Sequence, residues 1–154
     1  MVSNHLLDSL AIIPHVWAGR WLDVGSGAGL PGIVMAIARP DWQIEMLDSN
    51  SKKTSFVQQT IIELGLQNVS VHCARVEDWQ TKCKFDGIVS RAFTELGNFV
   101  SLTQHLIADG GRWAAMKGIP EGELAGMPIN CQVDRIISLE VPGLHAARSL
   151  VIAS

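Results

Sequence analysis

The stretch Leu22-Asp23-Val24-Gly25-Ser26-Gly27-Ala28-Gly29 decides the fold prediction, because it joins a short apolar strand to a helix. The strand is predicted over residues 20–24. The helix is predicted over residues 31–38, with Pro31 at an early position where its missing N–H costs nothing. Glycines at such a junction let the backbone turn sharply and approach a ligand without Cβ clashes. Unpaired amides at the helix N-terminus lie behind them, so we predict a ligand-binding loop.

Outward from this loop, strands and helices alternate. Further strands are predicted over residues 43–47, 68–73, 85–89 and 112–116, and further helices over residues 2–13, 51–64 and 95–107. The apolar sides of the first and third helices are predicted to contain Leu6, Leu7, Leu10 and Ile13, and Phe56, Val57, Thr60, Ile61 and Leu64. This alternation favours a parallel sheet with helices on both faces.

The tail has a different pattern. Residues 132–141 and 148–152 are β-rich with no helical stretch between them, which predicts an antiparallel pair closing one sheet edge. Gly110 and Gly111 are expected to turn the chain before the fifth strand. We therefore predict an α/β, Rossmann-like, doubly wound and mostly parallel sheet. It forms one domain over residues 1–154, with residues 1–18 as an N-terminal helix and lead-in to the core.

Asp48 ends the second strand about twenty residues beyond the glycine loop, the spacing at which a carboxylate accepts the ribose hydroxyls of an adenosine. A helix N-cap or turn aspartate is the alternative. Two cofactors fit such a site, because Gly27-Ala28-Gly29-Leu30-Pro31-Gly32 also matches the dinucleotide pattern GxGxxG. Asp23, which can hold the loop or meet a ligand's ammonium group, and the short chain of 154 residues favour S-adenosylmethionine. An NAD(P)-dependent oxidoreductase and a catalytically weak interaction module remain alternatives.

Polar residues after the other strands are further candidates, since the carboxyl ends of parallel strands form the ligand crevice. Glu77, after the third strand, is the candidate acceptor for an adenine edge, or else lies in an exposed acidic turn. Arg91, after the fourth strand, faces the crevice or pairs with Glu95. Lys117 ends the fifth strand, where contact with an anionic substrate and plain solvation are equally plausible.

Composition excludes several classes of protein. A net charge of −3, with Lys52 and Lys53 as the one adjacent basic pair, does not support a broad basic face for nucleic acid. The three cysteines and five histidines form no spaced cluster, so neither a disulfide framework nor a metal site is expected. With no signal-peptide pattern and no long apolar run, a soluble cytoplasmic protein is expected.

Several quoted stretches together resemble one family. They are His5-Leu6-Leu7-Asp8-Ser9-Leu10, the glycine stretch 22–32, Leu47-Asp48-Ser49, Phe85-Asp86-Gly87-Ile88-Val89-Ser90-Arg91-Ala92-Phe93 and Lys117-Gly118. The chain, from about His5 to its end, is similar to the bacterial small-subunit ribosomal RNA guanine-N7 methyltransferase G family, also called glucose-inhibited division protein B. Gly-Ser-Gly-Ala-Gly-Leu-Pro-Gly together with Ser-Arg-Ala-Phe is the specific part of the match.

The resemblance implies a monomeric cytoplasmic enzyme that uses S-adenosylmethionine to methylate N7 of guanine 527 in 16S ribosomal RNA of the small subunit. It also implies a donor site at Gly25, Leu30, Val76, Glu77 and Arg91. The glycine-loop pattern and the spacing to the end of the second strand add Gly27, Gly29 and Asp48. Guanine N7 carries a free lone pair and no proton, so no general base is expected. The enzyme's task would be positioning, and we assign no catalytic residue.

The chain departs from the family on the side expected to meet RNA. The family has a further N-terminal helical segment before the stretch that begins at His5, and we expect this chain to lack it. It also has Lys-Arg and another Arg where this sequence reads Lys52-Lys53-Thr54-Ser55, and Arg-His-Leu where it reads Arg148-Ser149-Leu150. Lys52, Lys53, Lys117 and Arg148 are the predicted substrate contacts. We therefore expect intact donor binding, with RNA methylation that is weak or sensitive to salt.

Overall fold

A computed structural model describes residues 2–91, 95–117, 126–139 and 148–154, with side chains from residue 6 onward. The strands are β1 (Arg20–Val24), β2 (Gln43–Asp48), β3 (Val69–Cys73), β4 (Phe85–Ser90), β5 (Ile107–Lys117), β6 (Val133–Ser138) and β7 (Ser149–Ala153). The helices are α1 (Val2–Ile12), α2 (Gly32–Ala38), α3 (Ser51–Leu64) and α4 (Leu96–Thr103), with short 3₁₀ turns at Ile13–His15 and Gln104–Leu106. Among these described helices, none is both long and apolar enough to cross a bilayer.

The strands form one sheet in the order β3-β2-β1-β4-β5-β7-β6 within the described residues. The first five in this order run parallel to one another, whereas β7 is antiparallel to both β5 and β6. The predicted parallel sheet with an antiparallel C-terminal edge pair is therefore confirmed. Because the chain moves from β1 to β2 on one side and later returns to β4 on the other, the carboxyl end of β1 lies at a topological switch point, where ligands bind in such sheets.

Alternate residues of β1 point to opposite faces of the sheet, as the period of a strand requires. Trp21 packs with residues of α1, α2 and α3 in one apolar cluster, whereas Leu22 packs with residues of α4 in the other. Gly32 begins α2 where the helix approaches the sheet closely. A Cβ there would lie 2.9 Å from both Met46 Sδ and Asp23 Oδ2. Glycine at this position therefore allows α2 to pack directly behind the glycine loop.

The predicted apolar side of α1 is wrong in part. Leu6 and Leu10 are 42% and 46% exposed, while Asp8 and Ser9 are buried with Ile12. One reason for the burial of Asp8 is a long-range ion pair, since its Oδ2 lies 3.4 Å from Nε of Arg148, the residue before β7. This contact joins positions far apart in the sequence, and helical periodicity cannot predict it.

The prediction for α3 also assigns too many residues to the buried side of the helix. Val57 and Ile61 are buried as predicted, together with Thr54, but Phe56 and Leu64 are 60% and 54% exposed. The helix packs against β2 and β3 at the outer end of the sheet. These strands cover only a narrow strip of the helix, so the flanking apolar side chains face solvent.

Three boundaries differ from the predictions. Pro31 is the N-cap of α2 and lies before its first turn. The fifth strand begins at Ile107, so Gly110 and Gly111 lie within β5 at a register irregularity, with Gly110 at φ +79°. The helix predicted over 95–107 ends as an α-helix at Thr103. The connection between the last two strands lies outside the described residues.

Candidate cofactor site

A cavity of about 350 Å³ opens at the carboxyl ends of β1, β2 and β3, a volume within the range of small-molecule sites. Its lining includes five of the predicted cofactor residues, namely Gly25, Gly27, Asp48, Val76 and Glu77. Lys53, predicted as a substrate contact, also lines it. Three stretches that are distant in the sequence therefore meet at one edge of the sheet, as the topology predicts.

The glycine loop lies on β2 through backbone hydrogen bonds. The Gly25 amide donates to Leu47 O of β2 at 2.8 Å, and within the loop the Gly29 amide donates to Ser26 O at 2.9 Å. Gly25 and Gly27 have φ values of +68° and +55°. Side chains other than glycine rarely adopt this left-handed region. The glycines therefore permit a turn that presents bare backbone to the cavity.

Asp48 connects the glycine loop to the start of α3. Its Oδ2 accepts from the Gly27 amide at 2.9 Å, and its Oδ1 accepts from the Asn50 amide at 2.9 Å. Asn50, rather than Asp48, is the N-cap of α3, because its Oδ1 accepts from the amides of Lys52 and Lys53. Asp48 thus forms a turn and also lines the cavity, where the remaining lone pairs of a carboxylate can accept further hydrogen bonds.

Asp23 lies fully buried behind the loop. Its Oδ2 accepts from the Gly32 amide at 2.9 Å. Its Oδ1, like the buried Ser26 Oγ, has no hydrogen-bond partner among the described residues. Burial raises the pKa of Asp23 well above the usual 3.8. The Gly32 hydrogen bond opposes this rise, and the nearby charge of Asp48 adds to it. An acceptor left unsatisfied in such surroundings favours a proton or a cationic group nearby.

Trp79 holds the turn that carries Val76 and Glu77 against the sheet. The Trp79 ring is tilted against His72 and stacked on Phe85, with centroid distances of 5.1 and 6.1 Å. Its carbonyl accepts from His105 Nε2 at 3.1 Å. Val76 is buried while Glu77 is exposed. The aromatic contacts therefore hold the turn against the sheet and leave the Glu77 carboxylate available to a ligand.

Other predicted cofactor residues do not line this cavity. Gly29 lies against the core, where a Cβ would meet Ile33 at 3.0 Å. Leu30 packs partly buried on the cluster shared by α1, α2 and α3. Arg91 is half buried directly after β4, burial lowers its pKa, and its Nε has no partner in the described part of the chain.

The predicted substrate contacts are dispersed. Lys52 is exposed on α3 beside Lys53, and Lys117 ends β5. Arg148 lies at the far side of the sheet in its ion pair with Asp8. Ala92, Phe93 and Gly118, which contribute to the family resemblance, lie outside the described residues.

Sequence reasoning missed two polar residues of the cavity, Ser49 and Arg75. Ser49 follows the end of β2 directly, and Arg75 lies just after β3. The rule that selected Glu77 and Arg91, position just past the carboxyl end of a parallel strand, also covers these two residues. Applied to every strand, it would have found them.

Comparisons with known proteins agree with this arrangement. A family profile described as rRNA small subunit methyltransferase G matches residues 1–151. The Ribosomal RNA small subunit methyltransferase G of Laribacter hongkongensis is 55% identical over 152 residues, which are 98% of this chain and 73% of the relative.

Two solved structures share the fold. TrmN from Thermus thermophilus has a TM-score of 0.78 at 17% identity, over 95% of this chain and 47% of that one. A SAM dependent methyltransferase from Aquifex aeolicus has a TM-score of 0.70 at 17% identity, over 97% of this chain and 90% of that one. The Rossmann-like fold of class I methyltransferases, predicted from the sequence, is thereby confirmed.

Proposed function

The chain belongs to the rRNA small subunit methyltransferase G family, and on that premise we propose that it methylates N7 of guanine 527 in 16S ribosomal RNA with S-adenosylmethionine as donor. The observation that carries the proposal is the glycine loop bound to Asp48 at the mouth of the 350 Å³ cavity. A ribosomal substrate places the reaction in the cytoplasm. We propose a monomer with a single domain as the working unit.

The residues of the cavity fit this donor. Asp48 would accept from the ribose hydroxyls, and Val76 and Glu77 would face the adenine. The buried, unsatisfied Oδ1 of Asp23 favours a positively charged group near the glycine loop, which suits the donor's ammonium. Arg91, a half-buried cation past β4, is suited to the donor's carboxylate.

When bound, the donor supplies a methyl group on a positively charged sulfur. Asp48, Glu77 and Arg91 would hold the donor, which would supply this methyl group to the N7 lone pair of guanine while the electron pair of the broken S–C bond stays on sulfur. No proton moves, so the residues of the chain act by holding both reactants in line. Such alignment can contribute about 7–11 kcal/mol relative to free encounter.

The dinucleotide alternative rests on the GxGxxG pattern, whose last glycine is Gly32. In the structure Gly32 allows α2 to pack closely on Met46. Any Rossmann-like site requires such close packing of helix on strand, so the presence of Gly32 does not favour NAD over S-adenosylmethionine. The test is calorimetry with S-adenosylhomocysteine and, separately, NAD. We expect S-adenosylhomocysteine to bind and NAD not to bind. Preference for NAD would support the oxidoreductase, and binding of neither would support an interaction module.

For the RNA side, we propose Lys52, Lys53 and Lys117 as phosphate contacts. Arg148 would contribute only if its ion pair with Asp8 rearranges. With few cations and a net charge of −3, affinity for RNA should be weak. Each phosphate contact that forms releases counterions, so affinity should also fall as salt rises, with a slope of about 0.7 per contact on a single strand. Methylation of small-subunit particles at two salt concentrations tests this expectation. Equal rates at both would show that phosphate contacts contribute little.

A further inference from the structure

Phe56 is an aromatic side chain left in solvent on α3. It is 60% exposed, although the helix buries Thr54, Val57 and Ile61 against the sheet. Residues three and four positions apart are neighbours on a helix surface. The preceding neighbours of Phe56 are therefore Lys53 and Lys52, so the ring lies next to two lysines.

This aromatic and basic surface borders the proposed donor site. Lys53 lines the cavity, and Phe56 follows it by one helical turn on the same side. Arg75 lines the same cavity and lies just after β3. A strand that crosses the cavity mouth and continues along α3 would thus pass Arg75, then the two lysines and then the exposed ring of Phe56.

The charges nearby suit a polyanion. From its first residue α3 has no acidic side chain before Glu63, near its end. Neither Lys52 nor Lys53 forms an ion pair among the described residues. Of the two acids that line the cavity, Asp48 accepts from two backbone amides, and Glu77 follows β3 and does not lie on α3. The surface of Lys52, Lys53 and Phe56 therefore complements phosphate and leaves the ring free to meet a base.

We propose that Phe56 is a stacking platform for an unpaired base of the RNA substrate, with Lys52 on a neighbouring phosphate. The inference rests on the proposed function and adds a positioning residue to it. Stacking on an aromatic ring tolerates any base, because every base has a π-face. The contact would orient the single-stranded RNA on the enzyme without selecting its sequence.

The test measures binding of purified small ribosomal subunits in the presence of S-adenosylhomocysteine. Phe56→Ala should weaken binding about 5- to 150-fold, the range for loss of one base stack. Phe56→Leu should bind the subunits as weakly as Phe56→Ala does, because leucine is apolar but has no π-face. Phe56→Tyr should bind as the unchanged protein does. Ile62→Ala is the matched control, since Ile62 is 62% exposed near the other end of α3. It should have no effect.

Salt dependence separates stacking from charge. Phe56→Ala should leave the slope of log affinity against log salt unchanged, whereas Lys52→Ala should reduce its magnitude by about 0.7. S-adenosylhomocysteine affinity, measured by calorimetry, should be the same in the Phe56 variants and the unchanged protein. If the unchanged protein binds RNA and Phe56→Ala matches Ile62→Ala, the stacking inference alone is overturned. Normal donor binding without any RNA binding would overturn it together with the RNA part of the proposed function.

Discussion

Replacement of Asp48 by alanine tests the centre of the site, because this side chain has two functions in the structure. It accepts from the Gly27 and Asn50 amides, each at 2.9 Å, and it lines the cavity. Hydrogen bonds to a charged group contribute about 1.5–3 kcal/mol each. The lower value applies here because the cavity is open to water. Asp48→Ala should therefore lower the free energy of unfolding by about 3 kcal/mol.

The same substitution should weaken the donor site. Loss of two ribose hydrogen bonds, at the same lower value, amounts to about 3 kcal/mol, or roughly 150-fold in affinity for S-adenosylhomocysteine. Urea unfolding and calorimetry measure the two effects separately. Ser49→Ala is the control, since Ser49 lines the same cavity and should alter stability by less than about 0.5 kcal/mol. Unchanged ligand affinity in a folded Asp48→Ala protein would refute ribose binding and leave Asp48 as a turn residue.

Three further substitutions probe the surroundings of the loop. Since burial raises the pKa of Asp23 above 3.8, the folded state holds its proton to higher pH than the unfolded state. Stability should therefore fall as pH rises through that window, and Asp23→Asn should flatten this slope in urea unfolding between pH 4 and 8. Gly32→Ala places a Cβ 2.9 Å from Met46 Sδ, so it should lower the free energy of unfolding by about 1–3 kcal/mol; an unchanged value would mean that α2 shifts freely. Trp79→Ala removes two ring contacts of about 0.5–1.5 kcal/mol each, and it should weaken S-adenosylhomocysteine binding measured by calorimetry. Trp79→Phe should retain most of the affinity. Equal affinities in both variants would exclude a positioning effect of the ring.

The glycine loop and its flanking strand could be predicted because the signals are local. Three alternating glycines between an apolar run and a helix require positive φ values, and Gly25 and Gly27 have them. The carboxyl-end rule then placed Glu77 at the same cavity from a distant part of the chain. Because parallel strands bring their carboxyl ends to one edge of the sheet, several local patterns together predict a single site.

The errors arise where a partner distant in the sequence decides the outcome. Periodicity marked Leu10 and Phe56 as buried, but it does not tell how much of a helix the sheet covers, and both are exposed. Likewise, Asp48 was predicted as a ligand contact or a cap. Its bond to the Gly27 amide depends on how β1 and β2 align, which a local pattern does not contain.

The most direct test of the central claim is methyl transfer itself. Small ribosomal subunits from cells that lack this modification would be incubated with the protein and S-adenosylmethionine carrying a labelled methyl group. The RNA would then be digested, and its nucleosides separated and identified by mass spectrometry. We predict label in 7-methylguanosine alone, and much less of it after substitution of Asp48 at the same donor concentration. Label in another nucleoside, or in a small molecule while the RNA stays unmodified, would contradict the account.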